Sequence, residues 1–340
     1  MIALSYFIGL CLIAMALFDV YRTVLANGMG RGPIESNLSD WIWRSMLAGG
    51  KAVNSRDRAA SLCGSLLVVL LLMAWSAFLV VGFALLYWPQ LGTGLQSTSH
   101  AVDSFSHAFY YSGYSLTTLG LGDIYPSNDF VRVLTLAQSW LGFTLLTLSI
   151  SYVLSVYQAV RHQESVSLKL HSLSGGTGEA FPLFRAIVSG NAAAVFRELN
   201  DDLIQLHTAH HQYPIIHYFH RTEEKYSTTR RFYLALESVS LCLSARREDP
   251  CSEDRACWIT LRESVREFAS MIAGFRPDQA GSDPSSTFQA GSERSTFAIE
   301  TPGVLAFDEK QYAELRSQWE PYLRKICDYL GESWPESRGD

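Results

Sequence analysis

Charge is missing from long stretches of the first half of this 340-residue chain. Residues 1–18, 62–88 and 133–160 contain no Asp, Glu, Lys or Arg. Runs of that kind exclude an ordinary soluble domain for this half, since surface positions there would carry charge. Cysteine is also sparse. The six present (Cys11, Cys63, Cys242, Cys251, Cys257 and Cys327) include no CxxC pair, which argues against a disulfide framework or a zinc site and suits a tail in a reducing cytosol. An excess of basic charge is missing too, the net charge being −6, so no nucleic-acid partner is expected. Gly175-Gly176-Thr177-Gly178 follows no strand-like run and lacks the Lys-Ser/Thr ending of a phosphate loop, so it reads as a joint. No nucleophile–base or metal–acid arrangement stands out, and an enzyme is not expected.

The apolar runs themselves predict an all-α membrane protein with three transmembrane helices, a re-entrant pore helix and filter loop, and a mainly helical cytoplasmic domain. The first span is residues 1–27. A signal peptide would need basic residues before its apolar stretch, and none is present. Asp19 and Arg22, three apart, share one face near the end of this helix. They read as an interfacial ion pair or, alternatively, as a charge contact to a neighbouring helix. Residues 28–61 form a loop with a breaker at Asn27–Pro33 and an amphipathic, interfacial helix carrying Trp41 and Trp43. Arg31, Arg44, Lys51, Arg56 and Arg58 outnumber Glu35, Asp40 and Asp57 in it, which makes the loop cytoplasmic. That places the amino terminus outside and the tail inside, in a multi-pass protein of the cell (inner) membrane whose other partner is lipid.

Residues 62–160 form one module: an outer helix at 62–88, a short pore helix at 103–117, a filter at 118–123 and an inner helix at 131–160. The stretch Thr117-Thr118-Leu119-Gly120-Leu121-Gly122-Asp123 is too polar and glycine-rich to span. Non-helical backbone at membrane depth survives only where protein buries it or where it lines a water-filled path. A cation leaving water must have its hydration oxygens replaced, and rings of backbone carbonyls from several chains can do so. Turning those carbonyls inward favours glycine at alternate positions, met by Gly120 and Gly122. The pore helix ahead of them points its partially negative carboxyl end at the cavity.

Outer helix, pore helix, Thr-Thr-x-Gly-x-Gly-Asp and inner helix together resemble the pore module of potassium channels, and with the preceding helix the chain resembles bacterial potassium-channel-like proteins with one extra amino-terminal span. The resemblance implies a homotetramer passing potassium ions and holding no organic cofactor. It implies that Thr117, Thr118, Leu119, Gly120, Leu121 and Gly122 bind the ions. Asp123 then stands at the outer mouth, braced by a cuff formed by Tyr110 and Tyr111. Gly142 matches a gating hinge, or else is a site of close helix packing. Leu119 and Leu121 stand where the family usually has Val and Tyr. The lost phenol at Leu121 implies a potassium preference less strict than usual. A weakly selective cation channel, or a non-conducting sensor or scaffold with a vestigial pore, are the alternatives.

Beyond residue 160 the pattern predicts helices near 180–200, 200–222, 227–246 and 255–275 within a domain at 161–276, a flexible linker at 277–303, and a final helix at Asp308–Leu330 within 304–340. His207, His210, His211, His217 and His220 lie at helical spacings. They read first as packing and capping residues; weaker readings are a zinc site or a proton sensor.

Overall fold

The computed structural model describes residues 2–26, 32–53, 56–98, 102–189, 192–219, 223–247, 253–273, 304–330 and 334. The protein is an all-α membrane protein with three helices long and apolar enough to cross a bilayer. It divides into two compact units, residues 1–158 with 212–219, and residues 159–211 with 220–340.

In the first unit, α1 (Ile2–Val20) closes in a single π turn at Tyr21–Leu25. It lies against α3 (Arg56–Tyr87). Glycine lets these two backbones meet. A Cβ on Gly9 would stand 2.6 Å from the Gly82 carbonyl oxygen. With little hydrophobic force between helices inside lipid, such close approach is what packing has to work with. The expected outer helix starts earlier than residue 62, at Arg56, because Arg58-Ala59-Ala60 favours helix and carries it beyond the apolar span. Where an interfacial helix was expected, a helix forms, α2 (Pro33–Val53), with Ile42 buried and Trp41 exposed. Most of the breaker, residues 27–31, lies outside the described residues, as does the side chain of Trp43.

Asp19 shows how these three helices are tied. It is wholly buried, and it accepts the Trp75 indole N–H of α3 at 2.7 Å and the Ile34 backbone N–H of α2 at 2.6 Å. A carboxylate facing the amino terminus of α2 satisfies one of its orphan donors and meets its positive end. The charge contact to neighbouring helices is therefore the reading the structure supports, and an interfacial Asp19–Arg22 pair is not what Asp19 makes. Asp19→Ala leaves both donors buried and unmet. Its expected effect is a loss of about 2–4 kcal/mol, read as a lower unfolding temperature in detergent. A melting curve that overlays the parent's would remove Asp19 from this role.

α4 (Phe105–Leu116) is the short helix expected ahead of the loop, opened by a capping box in which Ser104 and His107 meet each other's backbone N–H groups. Two short strands bracket α4 and the loop that follows it. β1 (Leu95–Ser97) pairs antiparallel with β2 (Ile124–Pro126), a ribbon the sequence reading missed. α5 (Asp129–Leu173) is far longer than the 131–160 expected. Nothing between 161 and 173 breaks a helix, and Val166 and Leu170 keep a buried face going until Gly175 and Gly176, both at positive φ, end it. The expected boundary at 160/161 thus falls inside a continuous helix.

The second unit is built around α8 (Thr228–Ser244), in which every residue from Arg231 to Cys242 is buried. α6 (Ala180–Ser189), α9 (Glu253–Ala273) and the final helices pack on it, and α7 (Ala192–Gln212) reaches α5 through Lys169, which pairs with Asp202 at 2.5 Å and Glu198 at 2.8 Å. The expected last helix is broken in two, α10 (Glu309–Ser317) and α11 (Glu320–Leu330), preceded by β4 (Val304–Phe307), which pairs with β3 (Ala245–Arg247). Arg316 and the Tyr312 hydroxyl, which donates, bind this end to Glu237 of α8, Arg316 at 3.3 Å, and Arg316 also joins the two terminal helices through Glu320 at 2.7 Å. The glycine joint is structural: the Gly178 carbonyl takes two hydrogen bonds from Arg230, at 3.1 and 3.0 Å. The proposed linker 277–303 lies outside the described residues.

Candidate functional site

The loop after α4 has the backbone its sequence asks for, with one addition. φ is positive at Thr118 (58°), Gly120 (59°) and Gly122 (81°), every second residue. In a regular strand successive carbonyls point to opposite sides, whereas alternating the hand of φ turns them to the same side. Glycine takes the left-handed region freely at 120 and 122. Thr118 is β-branched and holds it under strain, roughly 1–3 kcal/mol. Residues Thr117 to Gly122 are all exposed in the single chain, Leu119 by 64% and Leu121 by 53%. A side chain at Gly120 or Gly122 would meet nothing within 4 Å.

Behind the loop the packing is dense and polar. The Tyr114 hydroxyl donates to the Ile124 carbonyl, tying α4 to the strand that leaves the loop. Tyr114 stacks edge-on with Tyr110 at 5.2 Å and Tyr111 at 5.1 Å, and Tyr111 with Tyr87 of α3 at 4.8 Å. Tyr110 and Tyr111 thus do adjoin one another's partners, and the Tyr110 phenol neighbours Asp123. One oxygen of Asp123 is buried with no hydrogen-bond partner in the single chain.

Gln138 joins all three helices. It accepts from the Tyr87 hydroxyl at 2.8 Å and donates to the Ser112 carbonyl at 2.9 Å and the Ser112 hydroxyl at 2.7 Å. Ser112 in turn donates to the Val80 carbonyl at 2.8 Å, and Tyr111 and Thr135 share a bond of 2.7 Å. No site role was read from the sequence for Tyr87, Ser112, Tyr114, Thr135 or Gln138. The signal for them was Gln138 itself, a strongly polar side chain inside an uncharged span, where such a group needs partners.

Gly142 lies where α5 crosses the end of α4. A Cβ there would stand 1.9 Å from the Leu116 carbonyl oxygen. The close-packing reading of Gly142 has a direct contact behind it, and α5 is helical on both sides.

Among the described histidines no metal-binding cluster forms. His207 pairs with Glu267 at 2.7 Å, His211 is exposed, and His210 is buried with its Nδ1 2.8 Å from the Leu206 carbonyl. The side chain of His217 and all of His220 lie outside the described residues. Among the described residues no group of three or more His, Cys, Asp or Glu could hold a metal ion. Burial pushes His210 down to about 3, with help from the nearby charges of Arg231 and His207. Folded His210 therefore stays neutral across the physiological range. The unfolded chain takes up that proton from about 6.5 downward, so the second unit should lose stability as pH falls from there toward 3, by up to roughly 1.4 kcal/mol per pH unit. Hydrogen exchange of α8 against pH should show this slope, and His210→Leu should flatten it; an equal slope in the variant would assign the effect elsewhere.

Residues 66–159 match the family described as "Ion channel". The matched stretch takes in most of α3, all of α4, the loop and the first two-thirds of α5. The chain is also 28% identical, over 221 residues, to the uncharacterized membrane protein YdjJ of Bacillus subtilis (strain 168). That alignment covers 65% of this chain and 64% of the relative. No solved structure matches.

Proposed function

We propose that four copies of this chain assemble around the Thr117–Gly122 loop as a passive cation channel that prefers potassium. The observation that carries the reading is the loop's state in a single chain. Its backbone alternates in hand at 118, 120 and 122, and its residues from Thr117 to Gly122 are exposed. Irregular backbone at membrane depth needs protein cover or a water-filled path, and one strand cannot enclose an ion. Closed rotational symmetry supplies both at once, with the carbonyls turned inward as ion ligands. The exposed apolar face of α5 (Val133, Leu136, Trp140, Phe143, Leu146, Ile150) gives neighbouring copies a surface to meet or lipid to contact.

Leu121 lacks the phenol that would help hold the loop's width from its own position. Tyr114 supports it from behind instead, through its bond to Ile124. Potassium preference relaxed toward sodium is the expectation. The match of residues 66–159 to an ion-channel family supports a transport role over an enzymatic one.

The test is potassium efflux from liposomes holding the purified protein, with sodium efflux measured alongside. Equal permeability to the two ions would remove the potassium preference and leave a general cation pore. No flux from protein shown to be inserted would favour a sensor or scaffold with a vestigial pore.

A further inference from the structure

Eight residues of the tail, Gln212–Phe219, belong to the membrane unit. Tyr213–Phe219 falls between α7 and α8, both of the second unit, yet it packs with residues 1–158. Its sequence is Tyr-Pro-Ile-Ile-His-Tyr-Phe, and Pro214 opens a short 3-10 turn that compacts it. Ile215, Ile216 and Tyr218 are buried. The segment seats against the start of α3 and the inner end of the membrane part of α5. Phe219 lies over Gly64, where a Cβ would fall 2.5 Å from its ring, so glycine makes the seat. Phe219 meets Tyr157 edge-on at 5.7 Å, and Tyr213 meets Tyr152 edge-on at 6.1 Å. Tyr157 in turn shares a hydrogen bond with Ser65 at 3.4 Å, and Tyr152 stacks on Trp75 at 6.2 Å.

We propose that Tyr213–Phe219 is a clasp through which the tail controls the freedom of the inner end of α5. Both ends of the segment are tethered to the second unit by the chain itself. Its aromatic rings hold α5 at two points one to two helical turns apart, Tyr152 and Tyr157. Whatever shifts the tail pulls on the clasp, and a seated clasp and a released one are two discrete arrangements that a tail ligand can bias. For the pore proposed above, on which this part rests, release is the step that lets the inner ends of α5 move and conduction change.

The test uses the full chain in lipid nanodiscs, with hydrogen exchange at residues 150–158 as the first readout and single-channel open probability as the second. Phe219→Ala removes the ring. Gly64→Ala fills the seat from the α3 side. Each is expected to raise exchange at the inner end of α5 about tenfold, with the loop at 117–123 unchanged, and to shift open probability in the same direction as the other. In the Phe219→Ala background, Gly64→Ala should add nothing, because the ring it collides with is gone. Phe219→Leu, a gentler change, should fall between. Unchanged exchange in Phe219→Ala, or an effect of Gly64→Ala that is the same with and without the ring, overturns the clasp. If the parent carries no current, the channel reading falls and the exchange comparison still decides the clasp.

Discussion

Gly120→Asp abolishes potassium efflux from liposomes, while the variant expresses, inserts and melts close to the parent. The two halves of that expectation come from different observations. A Cβ at Gly120 meets nothing within 4 Å, so within one chain the carboxylate has room and the fold is not disturbed. The residue nevertheless sits at φ +59°, where a side chain costs about 1–2 kcal/mol and resists the conformation that turns the carbonyls to one side. In the proposed assembly each copy also places a carboxylate beside the ion path, where it would trap a cation instead of passing it. Gly120→Ala, with the backbone cost and no charge, should reduce efflux without ending it. Parent-level flux through Gly120→Asp would show that this loop does not line the path. A variant that fails to insert would instead show that the exposed loop is needed for folding, against the room seen around Gly120.

The overall architecture was legible because it depends on composition over long windows. Three uncharged runs announce three spans, and Arg161, Gly175 and the polar tail announce the change of solvent. Helix ends were less legible. Charge was read as the limit of a helix at 62 and 160, whereas charge limits only the membrane span: α3 begins at Arg56 and α5 continues to Leu173. The loop's glycines were legible because few residues accept positive φ. Thr118 was not, since a β-branched residue in the left-handed region follows no local preference and is held there by its surroundings. What joins distant segments was the least legible. Asp19 and Trp75 are 56 residues apart, and Gly64 and Phe219 lie farther still. A local pattern marks Asp19 as unusual and Gly64 as permissive, and only the packing supplies the partner.

Gly142→Ala should be more damaging than its size suggests, costing more than the roughly 1–3 kcal/mol usual for an overpacked site. The atom it strikes, 1.9 Å away, is the Leu116 backbone carbonyl oxygen, and a backbone carbonyl at a helix end has no rotamer to escape into. Either α5 backs away from α4 or the end of α4 tilts. Both displace the residues that the Gln138 and Ser139 bonds hold in register, Ser139 donating to the Ser115 carbonyl at 3.1 Å. The loop begins one residue after Leu116, so its position is set by this crossing. The expected result is a fall in melting temperature together with loss of efflux. Gly113→Ala is the matched comparison: it lies in α4, a Cβ there meets nothing within 4 Å, and alanine favours helix by up to about 1 kcal/mol. It should melt at or above the parent. The same pair separates packing from hinge bending at residue 142. A hinge predicts that Gly142→Ala changes the rate of opening at unchanged stability, because stiffening a helix does not unfold it. A close crossing predicts that stability and flux are lost together, and an alanine variant as stable as the parent would refute it.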